Sequence, residues 1–333
     1  MTLWRSIVTL TLFISSLAHT VPRHGAACSS LNKRRSWNSL TNAEKSEYLE
    51  AERCLMHHPP VVGTAPGAQN VWDELQQAHI SQGNYVHFVG HFLPWHRYLV
   101  RTHEVLLQTL CGYTGAQPYW DEVADYEAGP LKEASIFDPV FGFGGDGDGG
   151  DGCIRDGPFA DTTLRMRGLT ETHDDEYCLS RALNQSAFVW GQRSEVDRCF
   201  AMSEYRDAWA CYNFNPHSAG HTAVGGVMVD AAQSNGDPLF YLHHAYIDRL
   251  WWQWQQADLP RRLSDMGGPN TPPLDVLTGA GLGPPGRALT DYNGDEGGET
   301  TLAHVLWVNG IQPNVTVADV MDLGGNVVCA EYQ

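Results

Sequence analysis

Histidines are the residues of this sequence whose type and spacing are best suited to chemistry. His217 and His221 are four positions apart, so on a helix their side chains share one face, about 6 Å apart at Cβ. His244 follows in residues 237–252, where apolar residues repeat at helical spacing. An imidazole among apolar neighbours is desolvated, which favours the neutral form that binds metals. These three histidines therefore indicate one metal site with three nitrogen donors.

The first half of the chain offers a second set of three histidines. His79 lies near the end of a predicted helix, His87 in a loop, and His96 in the first turn of the next helix. Imidazole donors suit copper, zinc, iron or nickel. A zinc protease would carry a glutamate between its paired histidines. Because His217 and His221 enclose Ser-Ala-Gly, with no carboxylate base, a hydrolase is disfavoured. A lone histidine would more often be a core residue, so the metal interpretation depends on the six together.

Local signals predict the helices that must position these histidines. Thr41 and Glu44 form a capping-box pattern, which predicts a helix to about Leu55. Asn-Pro at 215–216 predicts the cap of a short helix with His217 and His221, ended by Gly-Gly at 225–226. The other predicted elements are helices from Asn70 to near Gly83, 95–110 after Pro94, Ser194 to about Tyr212 and Asp237 to about Gln256, with strands at 303–308 and 315–320.

The ends and composition of the chain indicate a secreted protein. Residues 1–18 are predicted to be a signal peptide, with Arg5 before an apolar centre and a small-residue cleavage site at 16–18, which leaves 19–333 as one domain. Eight cysteines without C-x-x-C pairs suit up to four disulfides, whose pairing the sequence leaves open. Asn184 and Asn314 are in glycosylation sequons.

Charge and hydropathy exclude some partners. The net charge of −18 argues against nucleic acid and against an anionic membrane surface. No apolar run after the signal is long enough to span a bilayer, so the mature protein is expected to be soluble. Lys-Arg-Arg at 33–35 fits either a dibasic processing site or a solvated basic turn, and the turn is favoured because Cys28 upstream would need tethering.

The segments around the histidines resemble the copper motifs of the tyrosinase family. The similarity spans about Cys28 to Tyr332 and is closest to short secreted fungal tyrosinases and catechol oxidases, without the C-terminal lid domain of longer relatives. It implies a mainly α fold, a four-helix bundle around a dicopper centre with long loops and a few short strands. The motifs are His87-x4-Phe92-Leu93-Pro94-Trp95-His96-Arg97-x6-Glu104 and Asp237-Pro238-x-Phe240-x3-His244-x3-Asp248, the second preceded by His217-x3-His221.

The resemblance also implies a ligand set of two copper ions. By position, one copper is bound by His79, His87 and His96, and the other by His217, His221 and His244. Asp248, one turn after the last ligand, is expected to orient a nearby ring. Three further histidines lie outside the pattern and are interpreted as surface residues or neighbours of ligands: His91, His103 and His243.

The implied reaction is oxidation of phenols by O2. An o-diphenol becomes an o-quinone, or oxygen is first inserted ortho to a phenol; the substrate is a phenolic small molecule or a tyrosine-containing peptide, with tailoring of a secondary metabolite one possibility. Ser218 stands where efficient monophenol-active relatives carry an asparagine, so diphenol oxidation is favoured. Tyr85 stands where many fungal relatives carry a cysteine that crosslinks to the second ligand, so no crosslink to His87 is expected. The alternative is a haemocyanin-like O2 carrier without turnover.

Overall fold

The computed structural model describes residues 28, 30–167, 176–282, 295 and 297–333. Helices dominate this part of the chain, and the strands are two or three residues long. The predicted signal peptide lies outside the described residues. The helices are α1 (Asn42–His57), α2 (Val71–Ile80), α3 (Phe92–Leu110), α4 (Glu122–Ala128), α5 (Gln185–Phe188), α6 (Arg193–Phe200), α7 (Tyr205–Tyr212), α8 (Ser218–Val224), α9 (Leu239–Gln256), α10 (Leu259–Arg262), α11 (Leu274–Gly279) and α12 (Val317–Val320).

Side-chain caps begin α1 and α2 as the sequence predicts. The Thr41 side chain accepts from the Glu44 N–H, and the Glu44 carboxylate accepts from the Thr41 N–H, which completes the capping box. Asn70 accepts from the Asp73 N–H at 2.7 Å and begins α2. Helix α2 ends at Ile80, directly after His79, three residues before the predicted glycine stop.

The long helix α3 starts earlier than the sequence predicts. It begins at Phe92 rather than after Pro94, with His91 at its N-cap. Pro94 is the third helical residue, where the first turn requires no N–H donor from it. Both Phe92 and His96 therefore belong to one rigid helix, and α3 packs most extensively against α9.

The predicted helix from Ser194 to Tyr212 is wrong, because this stretch forms two helices, α6 and α7. The chain then continues from α7 into α8 through a π-helical turn at Asn213–His217. Asn215 and Pro216 lie inside this turn and do not cap a new helix. Pro216 cannot donate the usual backbone hydrogen bond, which favours a locally wider turn. As predicted, α8 stops at Gly225, whose φ is +68°.

Helix α9 carries the predicted aromatic stripe into the core. Asp237 accepts from the Leu239 N–H at 3.0 Å and holds the helix start. The stripe residues are at most 1% exposed, as the helical spacing predicts. They are Phe240, His244, Ile247, Trp251 and Trp254.

Short strands and disulfides tie the chain segments together. Strands β1 (Asn32–Arg34) and β8 (Ala330–Tyr332) pair in parallel and join the two ends of the described chain. The predicted strands at 303–308 and 315–320 shorten to β6 (Val305–Leu306) and β7 (Val315–Thr316), because α12 occupies 317–320. The remaining hairpins are β2 (Gly147–Asp148) with β3 (Cys153–Ile154), and β4 (Thr163–Leu164) with β5 (Tyr177–Cys178).

All eight cysteines are in disulfides, which confirms the expected maximum of four. They pair as Cys28–Cys329, Cys54–Cys111, Cys153–Cys178 and Cys199–Cys211. Pairing of this kind suits an oxidising compartment. Within the described residues, no helix combines the length and the apolar character needed to cross a bilayer.

Arg34 corrects the interpretation of the basic triplet as a solvated turn. The triplet lies partly in β1, and the Arg34 side chain is fully buried. Its guanidinium donates to Glu104 at 2.9 Å and to Asp248 at 3.3 Å. In this fold the Arg34 side chain is therefore held in a buried ion-pair network and is not exposed to a protease.

Candidate metal centre

The first histidine set is assembled from two helices and the loop between them. His79 is at the end of α2, His87 lies in the loop, and His96 is in the second turn of α3. All three are at most 5% exposed. One ring nitrogen from each lies within 4.8 Å of the others, a spacing that could hold a metal ion.

The second set is assembled from the π-helical turn, α8 and α9. His217 ends the π turn, His221 is one turn later in α8, and His244 is in α9. A nitrogen from each lies within 4.8 Å of the others, and a nitrogen of His243 belongs to the same group. Only His221 is partly exposed, so the group opens toward solvent beside that residue.

The two sets face each other across α3 and α9. The rings of His96 and His244 are stacked, with centroids 4.3 Å apart and planes at 11°. Phe92 lies between the sets, 4.5 Å from His96 and 4.6 Å from His217. Because α3 and α9 pack directly together, the six predicted ligands form one buried cluster.

Backbone carbonyls orient five of the six rings. In each case Nδ1 is within hydrogen-bonding distance of a carbonyl oxygen, which fixes the tautomer with the proton on Nδ1 and leaves Nε2 as the donor for a metal. The Nε2 atoms of His79, His96 and His217 are buried and have no protein partner. The bonds are His79–Ala232 2.8 Å, His87–Gly83 2.6 Å, His96–Phe92 2.8 Å, His217–Asn213 3.1 Å and His221–Met228 2.6 Å.

Burial keeps these imidazoles neutral. It lowers the pKa of His87 to about 4 and lowers the pKa of the other five predicted ligands well below the usual range. Neighbouring histidines contribute in the same direction for those five, since one imidazolium would repel another. Neutral rings with unpartnered Nε2 atoms are the form that coordinates a metal.

The spacing of His221 and His244 fits a shared metal ion. Their Nε2 atoms are 3.3 Å apart. Two nitrogens bound to one ion at about 2.0–2.1 Å with a tetrahedral angle lie about 3.3 Å apart. The donor set, its burial and this separation therefore fit one metal ion per set.

Asp248 does not have the predicted role of orienting a histidine. Its Oδ1 accepts from Arg97 Nε at 2.5 Å, and its Oδ2 accepts from Arg34 and from the Tyr332 hydroxyl. The prediction failed because Asp248, one turn after His244, points along α9 toward the joined chain ends. Asp248 therefore stabilises the packing of α3 and α9 against the paired strands β1 and β8, which we call the frame of the site, and does not orient a ligand ring.

Ser218 directly follows a predicted ligand, as the sequence shows, but its hydroxyl is engaged. It donates to the Asn213 carbonyl oxygen at 2.9 Å. Thr222 one turn later donates to the Ser218 carbonyl oxygen at 2.6 Å. Neither hydroxyl proton is therefore free to hold a water molecule beside the ligands.

The three histidines outside the family pattern are all buried, so none is a surface residue. His91 stacks on His304 with centroids 3.8 Å apart. His103 lies against Tyr241 and binds the Glu52 carboxylate at 3.0 Å. Only His243 joins the metal-binding group.

Sequence reasoning missed Glu122 as a partner of this centre. Its Oε1 is 2.5 Å from His243 Nδ1, although the two residues are 121 positions apart. No spacing rule connects α4 with α9, so no signal in a single sequence could have found this pair. The only hint was Gly220 in the middle of a short helix, where glycine is unfavourable.

An aromatic pair lies next to both histidine sets. Phe88 follows His87 and has a φ of +60°, an unusual conformation for a bulky residue. Its ring stacks on Phe214, three residues before His217, with centroids 5.7 Å apart. Phe214 is 50% exposed, so the pair presents an apolar surface beside the metal centre.

Comparisons with known proteins agree with the fold and the site. Over residues 69–257, more than half of the chain, the sequence matches the common central domain of tyrosinase. It is 33% identical to the tyrosinase-like protein phomQ1 of Diaporthe leptostromiformis, over 92% of this chain and 78% of that protein. It is 27% identical to N-acetyl-6-hydroxytryptophan oxidase ivoB of Emericella nidulans, over 90% of this chain and 92% of that protein.

A solved structure shows the same architecture. Polyphenol oxidase from Thermothelomyces thermophila superposes with a TM-score of 0.75 at 26% identity, covering 91% of this chain and 89% of that one. That similarity confirms the mainly α fold predicted from the motifs. Together with the domain match and the two buried histidine groups, it shows that the chain belongs to the tyrosinase family and is a type 3 copper oxidoreductase whose cofactor is a pair of copper ions.

Proposed function

We propose that six histidines of this chain hold the two copper ions and that the centre oxidises o-diphenols to o-quinones. His79, His87 and His96 would bind one ion, and His217, His221 and His244 the other. The observation that carries the proposal is the set of six buried, neutral imidazoles whose nitrogen donors converge in two groups, five of them with Nδ1 fixed by a backbone carbonyl. When bound, the copper pair supplies O2 activation and accepts the substrate electrons.

The chain's own residues hold the ligands and shape the approach of the substrate. In the overall reaction, two o-diphenols lose two electrons and two protons each, and one O2 is reduced to two waters. Backbone carbonyls hold five of the six rings, so these ligands would need little reorganisation during turnover. The partly exposed His221 and the Phe88–Phe214 pair mark the side from which a planar phenol would enter.

Ser218 supports diphenol oxidation over hydroxylation of monophenols. A phenol has a pKa of about 10 and must lose its proton at the site before it can be hydroxylated, which requires a positioned base. The Ser218 and Thr222 hydroxyl protons are both committed to backbone carbonyls. A water base would therefore lack the side-chain hydrogen bond that an asparagine could supply at position 218.

The natural substrate is proposed to be a phenol with a bulky apolar substituent. The exposed Phe214 ring supports this class because it can contact a second ring or a peptide side chain. The relative named N-acetyl-6-hydroxytryptophan oxidase has by its name a bulky phenolic substrate. A peptide whose tyrosine already carries a second, ortho hydroxyl group, or another secondary metabolite with an o-diphenol ring, would satisfy the same requirement.

Metal analysis combined with oxygen uptake tests this proposal. The copper-loaded protein should contain two coppers per chain and consume O2 with catechol faster than with tyrosine or guaiacol. His244→Ala should lose the second copper and the uptake, whereas His57→Ala, at an exposed position on α1, should retain both. Two coppers without uptake on any phenol would instead support a carrier of O2. Full activity of His244→Ala would refute the ligand assignment.

A further inference from the structure

Glu122 and His243 form a buried pair directly behind the second histidine set. Both side chains are fully buried, and Glu122 Oε1 is 2.5 Å from His243 Nδ1. The His243 ring lies 4.6 Å from the His221 ring and 5.4 Å from the His217 ring, centroid to centroid. His243 Nε2 is also buried and has no protein partner.

We propose that Glu122 and His243 are positioning residues of the second copper site, where the carboxylate fixes the His243 ring against two ligand rings and balances the charge of the metal ion. This inference rests on the proposed function, since it assumes that His217, His221 and His244 hold a copper. It gives a role to a histidine that the family motif leaves outside the ligand set. It also gives a role to a glutamate that belongs to no motif.

The charge environment of Glu122 carries the first part of the argument. Two other buried acids have arginine partners: Asp237 pairs with Arg181, and Asp248 with Arg97. Among the described residues, the Glu122 carboxyl is hydrogen-bonded only to His243, which burial keeps neutral by lowering its pKa to about 3, and Glu122 Oε2 has no hydrogen-bond donor. A buried carboxylate without a cation is costly, so a cation within the adjacent histidine group would offset that cost.

The pKa of Glu122 agrees with this picture. In the protein alone, burial raises the pKa of Glu122 well above its usual range, and the neighbouring acids Asp121 and Asp125 raise it further. These groups make the pocket unfavourable for a negative charge unless positive charge is nearby. A copper ion held by His217, His221 and His244 would supply that charge.

Gly220 carries the second part of the argument. It lies between His217 and His221 on α8, where glycine is less favourable than alanine. A Cβ at this position would be 2.4 Å from His243 Cε1 and Nδ1 and 2.9 Å from Glu122 Oε1. The glycine therefore makes room for the pair, and the pair in turn packs against the helix that carries two ligands.

The chain contains a matched control for this pair. Glu52 and His103 are also fully buried and 3.0 Å apart, yet His103 belongs to neither metal-binding group. Glu52→Gln and Glu122→Gln thus make the same carboxyl-to-amide change beside equally buried histidine partners. A difference between them in copper binding isolates the effect of the metal site from a general loss of packing.

The test measures the two coppers separately. Copper-loaded wild type and both variants are dialysed against chelators of graded affinity, copper per chain is measured, and circular dichroism confirms the fold. Glu122→Gln should retain one copper and bind the second about 10- to 100-fold more weakly, the usual effect of removing an outer hydrogen-bond partner. Glu52→Gln should bind both coppers as wild type does. His243→Gln and Gly220→Ala should reproduce the selective loss.

The outcomes distinguish failure of the proposed role of Glu122 and His243 from failure of the proposed function. A folded Glu122→Gln protein that binds both coppers with wild-type affinity would overturn the role of the pair. If Glu122→Gln does not fold, His243→Gln decides, and full retention of both coppers in that variant is equally contradictory. Equal weakening in Glu122→Gln and Glu52→Gln would also overturn it. Wild-type protein without two coppers would instead refute the proposed function.

Discussion

Replacing Asp248 by asparagine tests whether this residue stabilises the frame or a metal ligand. Asp248 is 3% exposed and receives hydrogen bonds from Arg97, Arg34 and Tyr332. Arg34 keeps Glu104 as a carboxylate partner, but Arg97 would retain only neutral oxygens of Gln255 and of the backbone. One buried positive charge would then be uncompensated.

Removing one partner of a buried ion pair costs about 3–5 kcal/mol in free energy of unfolding. Because asparagine keeps the shape of the side chain and one acceptor oxygen, we expect Asp248→Asn to lower the free energy of unfolding by about 3 kcal/mol. Urea denaturation of the metal-free protein measures this directly. Glu127→Gln, which breaks the exposed pair with Arg193, is the control and should have little effect.

Copper content decides between the two roles of Asp248. If it stabilises the frame, the folded Asp248→Asn protein should bind two coppers as wild type does, while unfolding at lower urea concentration. Near-normal stability with selective loss of the second copper would refute this reasoning. That result would restore the interpretation that Asp248 orients a ligand ring.

Two further predictions concern residues near the centre. Burial lowers the pKa of His91 well below its usual range, so the unfolded chain takes up a proton that the folded state excludes. The contribution of His91 to the free energy of unfolding should therefore fall by up to about 1.4 kcal/mol for each pH unit below pH 6.5. His91→Phe should make the free energy of unfolding less dependent on pH. Phe214→Ala should lower kcat/KM for phenols with apolar ring substituents by about 2- to 12-fold, with kcat on catechol unchanged, whereas Phe200→Ala, 43% exposed on α6, should have no effect.

Local sequence signals were sufficient to predict the helices α1, α2, α3 and α9 and to single out the histidines that the structure groups together. The spacing of His217 and His221 placed them on one helical face because that periodicity is a property of any helix. The caps at Thr41 and Asn70 were equally predictable, since a capping side chain acts within three residues. The two motifs then assigned the remaining histidines, and the structure brings all six together.

Long-range contacts could not be predicted from one sequence. Asp248 has an acidic side chain one turn after His244, yet its partners come from α3 and from both ends of the described chain. Glu122 reaches His243 from a different helix. The π-helical turn before His217 was missed because the Asn-Pro pattern is typical of a helix start when it is read without the preceding helix.

The proposed ligand rings are oriented by hydrogen bonds of two kinds, some to their own local backbone and some to a separate segment of the chain. His87, His96 and His217 each bind the carbonyl four residues earlier, so their orientation is set by their own local backbone. His79 and His221 bind carbonyls at 232 and 228, which belong to the segment between α8 and α9.

His244 differs from the other five proposed ligands because its Nδ1 has no partner. Its orientation depends on packing, through the stacked His96 ring and Phe240 at 4.1 Å. The second copper site therefore depends more than the first on its surroundings. This asymmetry explains why the buried Glu122–His243 pair beside His244 and its partners should affect one copper and leave the other in place.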